Sequence, residues 1–321
     1  MSRTPIACVG LLVAACTINL SAAQIELDPK LPEYTKVAGV TGNINSIGSD
    51  TLNNLMTLWA EGFAESYPNV NIQIEGKGSS TAPPALIEGT AQLGPMSREM
   101  SSKEIDAFEK KHGYKPTAIK VAIDALAVFV HKDNPVNGLS MSQVDALFSK
   151  TRKAGFASDI TDWGVVVPEW KGKAVSLYGR NSASGTYGYF KEVALKKGDY
   201  KPSVKEQPGS SAVVQGVGSD LAGIGYSGIG YVTSGVKALP LGAKDGEAFT
   251  KPDYESCLNG KYPLSRFLFV YVNKKPGEPL PTLVHEFVRF VESKQGQEIV
   301  VKDGYFPLKA EMTMTMTGAG K

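Results

Sequence analysis

Reactive and metal-binding side chains are scarce in this sequence. It holds three cysteines and three histidines in 321 residues. Cys8 and Cys16 fall in the apolar opening stretch, so Cys257 stands alone in the remainder and no intramolecular disulfide can form there. His112, His131 and His285 are scattered, and with one cysteine they support no zinc cluster. No Gly-x-Ser-x-Gly elbow occurs. His112 closes a polar helix beside Gly113, His131 begins a turn and His285 lies in a late helix, so none occupies a turn that positions a catalytic base. The expectation is no catalytic residue, no metal and no cofactor. Charge of one sign is also missing: 34 Lys and Arg against 32 Asp and Glu leave a net +2. That gives no basic stripe for nucleic acid, so anion recognition has to be local.

After the first residues no run is long and apolar enough to span a bilayer. At the start, Arg3 is the lone charge ahead of the apolar run 6–16, and Ser21-Ala22-Ala23 precede Gln24. This fits a secretory signal over residues 1–23, cleaved after Ala23. A competing reading takes Val13-Ala14-Ala15-Cys16 as a lipoprotein box with Cys16 lipidated. Either one carries the chain across the inner membrane, and a periplasmic location is expected.

What the chain does have is one device used three times. The strand-like residues 174–178 lead into Gly179-Arg180-Asn181-Ser182-Ala183-Ser184-Gly185-Thr186. A helical pattern follows, with Tyr187, Phe190, Val193 and Ala194 at helical spacing and Gly198 placed to stop it. Helix N-termini expose unpaired amides and a positive dipole end, and Arg180 adds a fork of donors. Earlier, the strand 40–47 ends at Gly48-Ser49-Asp50-Thr51 before a helix with Leu52, Leu55, Trp59 and Phe63 on one face. The alternating strand Val70, Ile72, Ile74 ends at Gly76-Lys77-Gly78-Ser79-Ser80-Thr81, before a helix carrying Pro83 and Pro84 in its first turn. One such turn is an ordinary cap. Three, each following a strand, can converge at the carboxyl ends of the strands, and a small tetrahedral oxyanion uses them all.

Other signals are organisational. Ser101-x-x-Glu104 and Ser140-x-x-Gln143 are capping boxes, residues 152–172 read as irregular around Trp163 and Trp170, and 210–217 read as a short helix. Gly223-x-Gly225-x-x-Gly228 matches a dinucleotide fingerprint only as a string, with a helix before it and a strand-like stretch after it, so its glycines serve tight turns and close packing. The tail 312–317 is expected to fray. A chain of 321 residues favours two domains. Alternating strands and helices favour open α/β sheets. The apolar strands 119–130 and 267–272 would let the chain leave a first lobe and return to it.

The segments Ser46-Ile47-Gly48-Ser49-Asp50-Thr51-Leu52, 76–97, 179–190, 223–231 and Lys302-Asp303-Gly304-Tyr305 resemble the PstS-type periplasmic phosphate-binding proteins of bacterial ABC phosphate importers, in the form found in pseudomonads. The resemblance spans essentially the whole chain after residue 23. It implies a two-lobed α/β fold, with lobe I at 24–122 and 267–321, lobe II at 123–266 and one phosphate clamped in the cleft. It also implies ligand contacts from Thr51, the Leu52 amide, Ser79, Arg180, Ser184, Gly185 and Thr186. Two positions depart from the best-studied form. Ser97, in Gly94-Pro95-Met96-Ser97-Arg98, stands where that form has an aspartate, and Ser182 stands where it has an acidic partner for the arginine. Asp124 is the nearest unclaimed carboxylate. It is expected to take over as the acceptor facing the ligand, with Ser97 donating or using its backbone; the alternative is a structural ion pair, with Arg98 as one candidate partner. The implied function is capture of inorganic phosphate and delivery to an inner-membrane ABC permease, by a monomer without chemistry and without nucleic acid. The alternatives are sulfate, molybdate or tungstate binding, or a serine-dependent esterase or phosphatase.

Overall fold

The computed structural model describes residues 25–313. The signal segment 1–23, with Cys8 and Cys16, and residues 314–317 of the tail lie outside them.

Strand β1 (Gly42–Ile47) runs through a 3-10 turn (Asp50–Leu52) into helix α1 (Asn53–Ser66), which buries Leu55, Met56, Trp59 and Phe63. Strand β2 (Val70–Glu75) pairs parallel with β1 and feeds a second 3-10 turn (Ser79–Thr81) and helix α2 (Ala82–Ile87). Pro83 and Pro84 fall in the first turn of α2, where their missing N–H groups cost nothing. Strand β3 (Gly94–Met96) follows, then helix α3 (Ser102–His112), begun by Glu104 accepting from the Ser101 amide at 2.7 Å and ended by Gly113 at φ 81°.

The spine of the molecule is β4 (Thr117–His131), 15 residues long. After it come β5 (Leu139–Ser140), α4 (Met141–Phe148), the irregular segment anchored by buried Trp163, then β6 (Ser176–Arg180) and α5 (Gly185–Val193). Next are β7 (Lys205–Gln207), α6 (Ser210–Gly218), β8 (Gly223–Gly228), β9 (Val236–Ala238), β10 (Leu241–Gly242) and α7 (Tyr254–Leu258). Strand β11 (Ser265–Val272) leads to α8 (Thr282–Glu292) and α9 (Lys294–Lys302). The sheet order is β3-β11-β4-β8-β6-β7, with β9 also on β4. The first part of β4 pairs with β11 and the second with β8, so one strand serves two sheets.

Two main cores result. One gathers Trp59, Phe63, Val121, Ala122, Leu268 and Phe287; the other gathers Leu126, Val128, Phe148, Phe190, Tyr226 and Leu264. Each buried large side chain contributes about 1.5–3 kcal/mol, so either core can hold a lobe without a disulfide. The chain end does not stay with the first core. Phe306 bridges to Ile123, and Phe306 and Leu308 pack in the second.

Some expectations need correction. Gly223–Gly228 is itself a strand, buried throughout, and not a pair of turns. A Cβ at Gly225 would come 2.8 Å from Val213 and 2.9 Å from Val217, so β8 is glycine-rich because α6 lies directly on it. Helix α5 stops at Val193, before Gly198. The start of the tail is tied down: residues 310–312 form a 3-10 turn, and the buried Thr313 hydroxyl donates to the Ala310 carbonyl at 2.8 Å.

Candidate functional site

The three hydroxyl-bearing turns meet. Gly78 N donates to Gly48 O at 2.8 Å and Ser49 N to Pro95 O at 2.8 Å, which locks the two turns of the first lobe to β3. From the other lobe, Ala183 O accepts from Ser80 N at 3.2 Å and from Ser80 Oγ at 3.1 Å. Thr51 Oγ1 and Thr186 Oγ1 lie 2.9 Å apart, Ser79 Oγ and Ser97 Oγ 3.2 Å, and Ser97 Oγ and Thr186 Oγ1 3.5 Å. Thr51, Ser79, Ser97, Ser184 and Thr186 are all buried. A cluster of buried hydroxyls is costly unless something makes use of their donors, and a multivalent acceptor does.

Two glycines permit the approach. Gly78 sits at φ 120°, and a Cβ there would come 2.5 Å from Ala183 O. At Gly185 a Cβ would fall 2.2 Å from Ser79 Oγ and 2.7 Å from Ser97 Oγ. Ser184 caps α5, its Oγ accepting from Thr186 N at 3.1 Å and Tyr187 N at 3.3 Å. Those two amides are therefore capped instead of bare. Leu52 packs its side chain in the first core, so only its amide can serve an anion.

Two arginines flank the hydroxyls. Arg180, at the end of β6, is 1% exposed. Its Nη1 donates to Ser210 Oγ at 2.7 Å, its Nη2 lies 3.1 Å from Asp50 Oδ2, and its buried Nε has no partner. Burial draws this guanidinium below its usual range, and Asp50 opposes that pull. The acidic partner missing at Ser182 is thus supplied by Asp50. Arg266, on β11, donates from Nε and Nη2 to Asp124 Oδ2 at 2.9 and 2.7 Å. Its Nη1 reaches Ser97 O at 2.8 Å and its Nη2 reaches Thr186 Oγ1 at 3.1 Å.

Asp124 is in a buried ion pair, as the structural alternative had it, but its partner is Arg266. Oδ2 holds Arg266 and Oδ1 accepts from Ile229 N at 3.0 Å. Arg98 is not its partner, because Arg98 forms a two-pronged pair with Glu104 at 2.7 Å. The backbone amide of Ser97 goes to Ser79 Oγ at 3.0 Å.

Sequence reasoning missed Asp50, Ser210 and Arg266. Arg266 carried a signal, as the lone charge in the apolar run Ser265–Val272. Asp50 and Ser210 carried none, since their contact spans 160 positions. The histidines stand apart: His112 Nε2 lies 3.2 Å from Ile87 O, His131 accepts from Asp133 N, and His285 faces Glu286. Among the described residues no group of three or more His, Cys, Asp or Glu side chains could hold a metal, and no helix is long and apolar enough to cross a membrane.

Comparison with known proteins places the chain in a family. Residues 35–295 match the model of the PBP superfamily domain. The phosphate-binding protein PstS of Pseudomonas aeruginosa is 59% identical over 305 residues, covering 94% of each chain. The protein SphX of Synechococcus elongatus is 28% identical over 302 residues, covering 93% of this chain and 86% of its own. Among solved structures, a putative phosphate ABC transporter substrate-binding protein with bound phosphate from Clostridium perfringens superimposes with a TM-score of 0.71 at 24% identity, over 84% of this chain and 100% of its own. An ABC-type phosphate transport receptor from Vibrio cholerae gives 0.64 at 22% identity, over 83% and 100%. These last two establish the fold. With a superfamily match over most of its length and 59% identity to a PstS protein, the chain belongs to the PstS family of phosphate-binding proteins within the PBP superfamily.

Proposed function

We propose that the chain captures inorganic phosphate outside the cytoplasm, between two lobes, and hands it to an inner-membrane ABC permease without chemical change. The observation that carries this reading is the convergence of the Thr51, Ser79, Ser97 and Thr186 hydroxyls beside a buried arginine whose Nε has no partner. Phosphate has enough lone pairs to accept from all of them, and a charge-assisted bond from Nε adds about 1.5–3 kcal/mol. Thr51, the Leu52 amide, Ser79, Arg180, Ser184, Gly185 and Thr186 form the contact set we assign, with Ser97 as donor and Arg266 as second cation. Asp124 acts through Arg266. The lobes run over 24–122 with 267–321 and over 123–266, except that Phe306 and Leu308 cross to the second core, and the protein works as a monomer. The name of the close Pseudomonas relative and that of the phosphate-bound Clostridium structure support this ligand.

Calorimetry on protein stripped of ligand tests the reading. Phosphate should bind one to one, sulfate, molybdate and tungstate much more weakly, and a chromogenic phosphomonoester should not turn over. Tighter sulfate than phosphate binding, or steady ester hydrolysis, would overturn it.

A further inference from the structure

Most of the Arg180 fork is committed to protein partners. Nη1 reaches Ser210 Oγ at 2.7 Å and Nη2 reaches Asp50 Oδ2 at 3.1 Å. That same carboxylate oxygen accepts from Ser210 N at 2.8 Å and Ser210 Oγ at 2.9 Å. Ser210 is the first residue of α6, a helix of nine residues, so Asp50 occupies a helix N-terminus beside a buried guanidinium. That is the setting an anion seeks. Asp50, however, comes from the turn that opens α1, across the cleft. Gly209 leaves room for it, since a Cβ there would stand 3.0 Å from Asp50 Oδ1. Tyr231 OH donates to Asp50 O at 2.9 Å and holds the same turn by its backbone.

We propose that Asp50 is the closing carboxylate of the clamp. It is an anion built into the first lobe that docks on a cationic socket of the second, made by Arg180 and Ser210. Docking fixes the plane of the guanidinium and leaves Nε as its open donor, so closure itself aims Arg180 at the ligand. With the lobes apart, Asp50 returns to water and Arg180 loses its partner. A contact present in one state and absent in the other is what biases a conformational equilibrium. Asp50 is thus a positioning residue acting through Arg180. The inference takes its ligand from the phosphate reading and its geometry from the pair alone.

Asp50→Asn keeps the shape and removes the charge. Stopped-flow and calorimetry should show phosphate affinity lowered by about tenfold or more, carried by faster dissociation, with association not slowed. Small-angle scattering of the phosphate-saturated variant should give a larger radius than the wild type. Ser210→Ala, on the opposite side of the contact, should move both readings the same way, and the double variant should fall short of the sum. Asp50→Glu should restore part of the affinity. A well-folded Asp50→Asn with wild-type dissociation rate and compaction overturns the proposal. If the wild type compacts on sulfate and not on phosphate, the ligand assignment falls, and the same variants measured in sulfate decide the clamp.

Discussion

Arg266 and Asp124 stand directly opposite each other on β11 and β4, and two guanidinium nitrogens share one carboxylate oxygen at 2.9 and 2.7 Å. The pair sits where β4 passes from one sheet to the next, and its free edge reaches the Thr186 hydroxyl and the Ser97 carbonyl. Asp124 therefore holds a cation in place, and under the phosphate reading it acts through that cation.

Asp124→Asn should weaken phosphate and sulfate binding together, because a displaced Arg266 serves neither anion. Titrating both anions checks this. A phosphate affinity that falls while sulfate binding rises would mean that Asp124 accepts a proton-bearing ligand oxygen directly.

Arg180→Ala should cost about 1.5–3 kcal/mol of phosphate binding, a factor of ten or more. Circular dichroism should stay near wild type, since the site lies between the two cores and not in either. Unchanged affinity would remove Arg180 from the contact set.

Gly185→Ala offers the cleanest steric test. The added methyl would fall 2.2 Å from Ser79 Oγ, across the cleft. Alanine suits a first helical position, so α5 is not harmed. The clash is relieved by parting the lobes, and phosphate affinity should drop by about tenfold or more, the loss of one or two hydrogen bonds. Melting of the ligand-free protein should hardly change.

Asp303 gives a pH signature. Burial pushes its carboxyl up from 3.8 to about 6, against the Asn54 amide that donates to it. The folded form thus holds this proton more tightly than the unfolded form. Its contribution to stability is fully present below 3.8 and is lost as pH rises through about 6. Asp303→Asn should remove that slope and raise stability at neutral pH, by on the order of 1 kcal/mol once solvent screening is allowed for. Urea midpoints at about pH 3 and about pH 7, roughly one unit outside the two values, check the sign.

Local signals carried most of the fold. Each strand that ends in a glycine-serine turn before an amphipathic helix was legible because period, cap and breaker agree within one short window. The same logic placed Thr51, Ser79, Ser184 and Thr186 at one site, as helix starts in an open sheet face the same way. The Gly223–Gly228 run was half legible: the close strand packing is there, with α6 on it, but the expected tight turns are a strand. Arg266 stood out as a charge in an apolar strand, but its partner shows only once Asp124 lies opposite. The Asp50–Ser210 contact could not be read at all, because it joins two turns 160 positions apart.

One consequence of the long strand concerns how the molecule comes apart. Val121 and Ala122 of β4 belong to the first core, while Leu126 and Val128 belong to the second. The two pairings meet end to end on one continuous strand, and Phe306 crosses back to pack in the second core. Melting one half frays the end of β4 that feeds the other, so unfolding of the two halves is expected to be coupled. A fragment cut at either crossover inherits an open sheet edge, which is where strands of neighbouring molecules pair and aggregate.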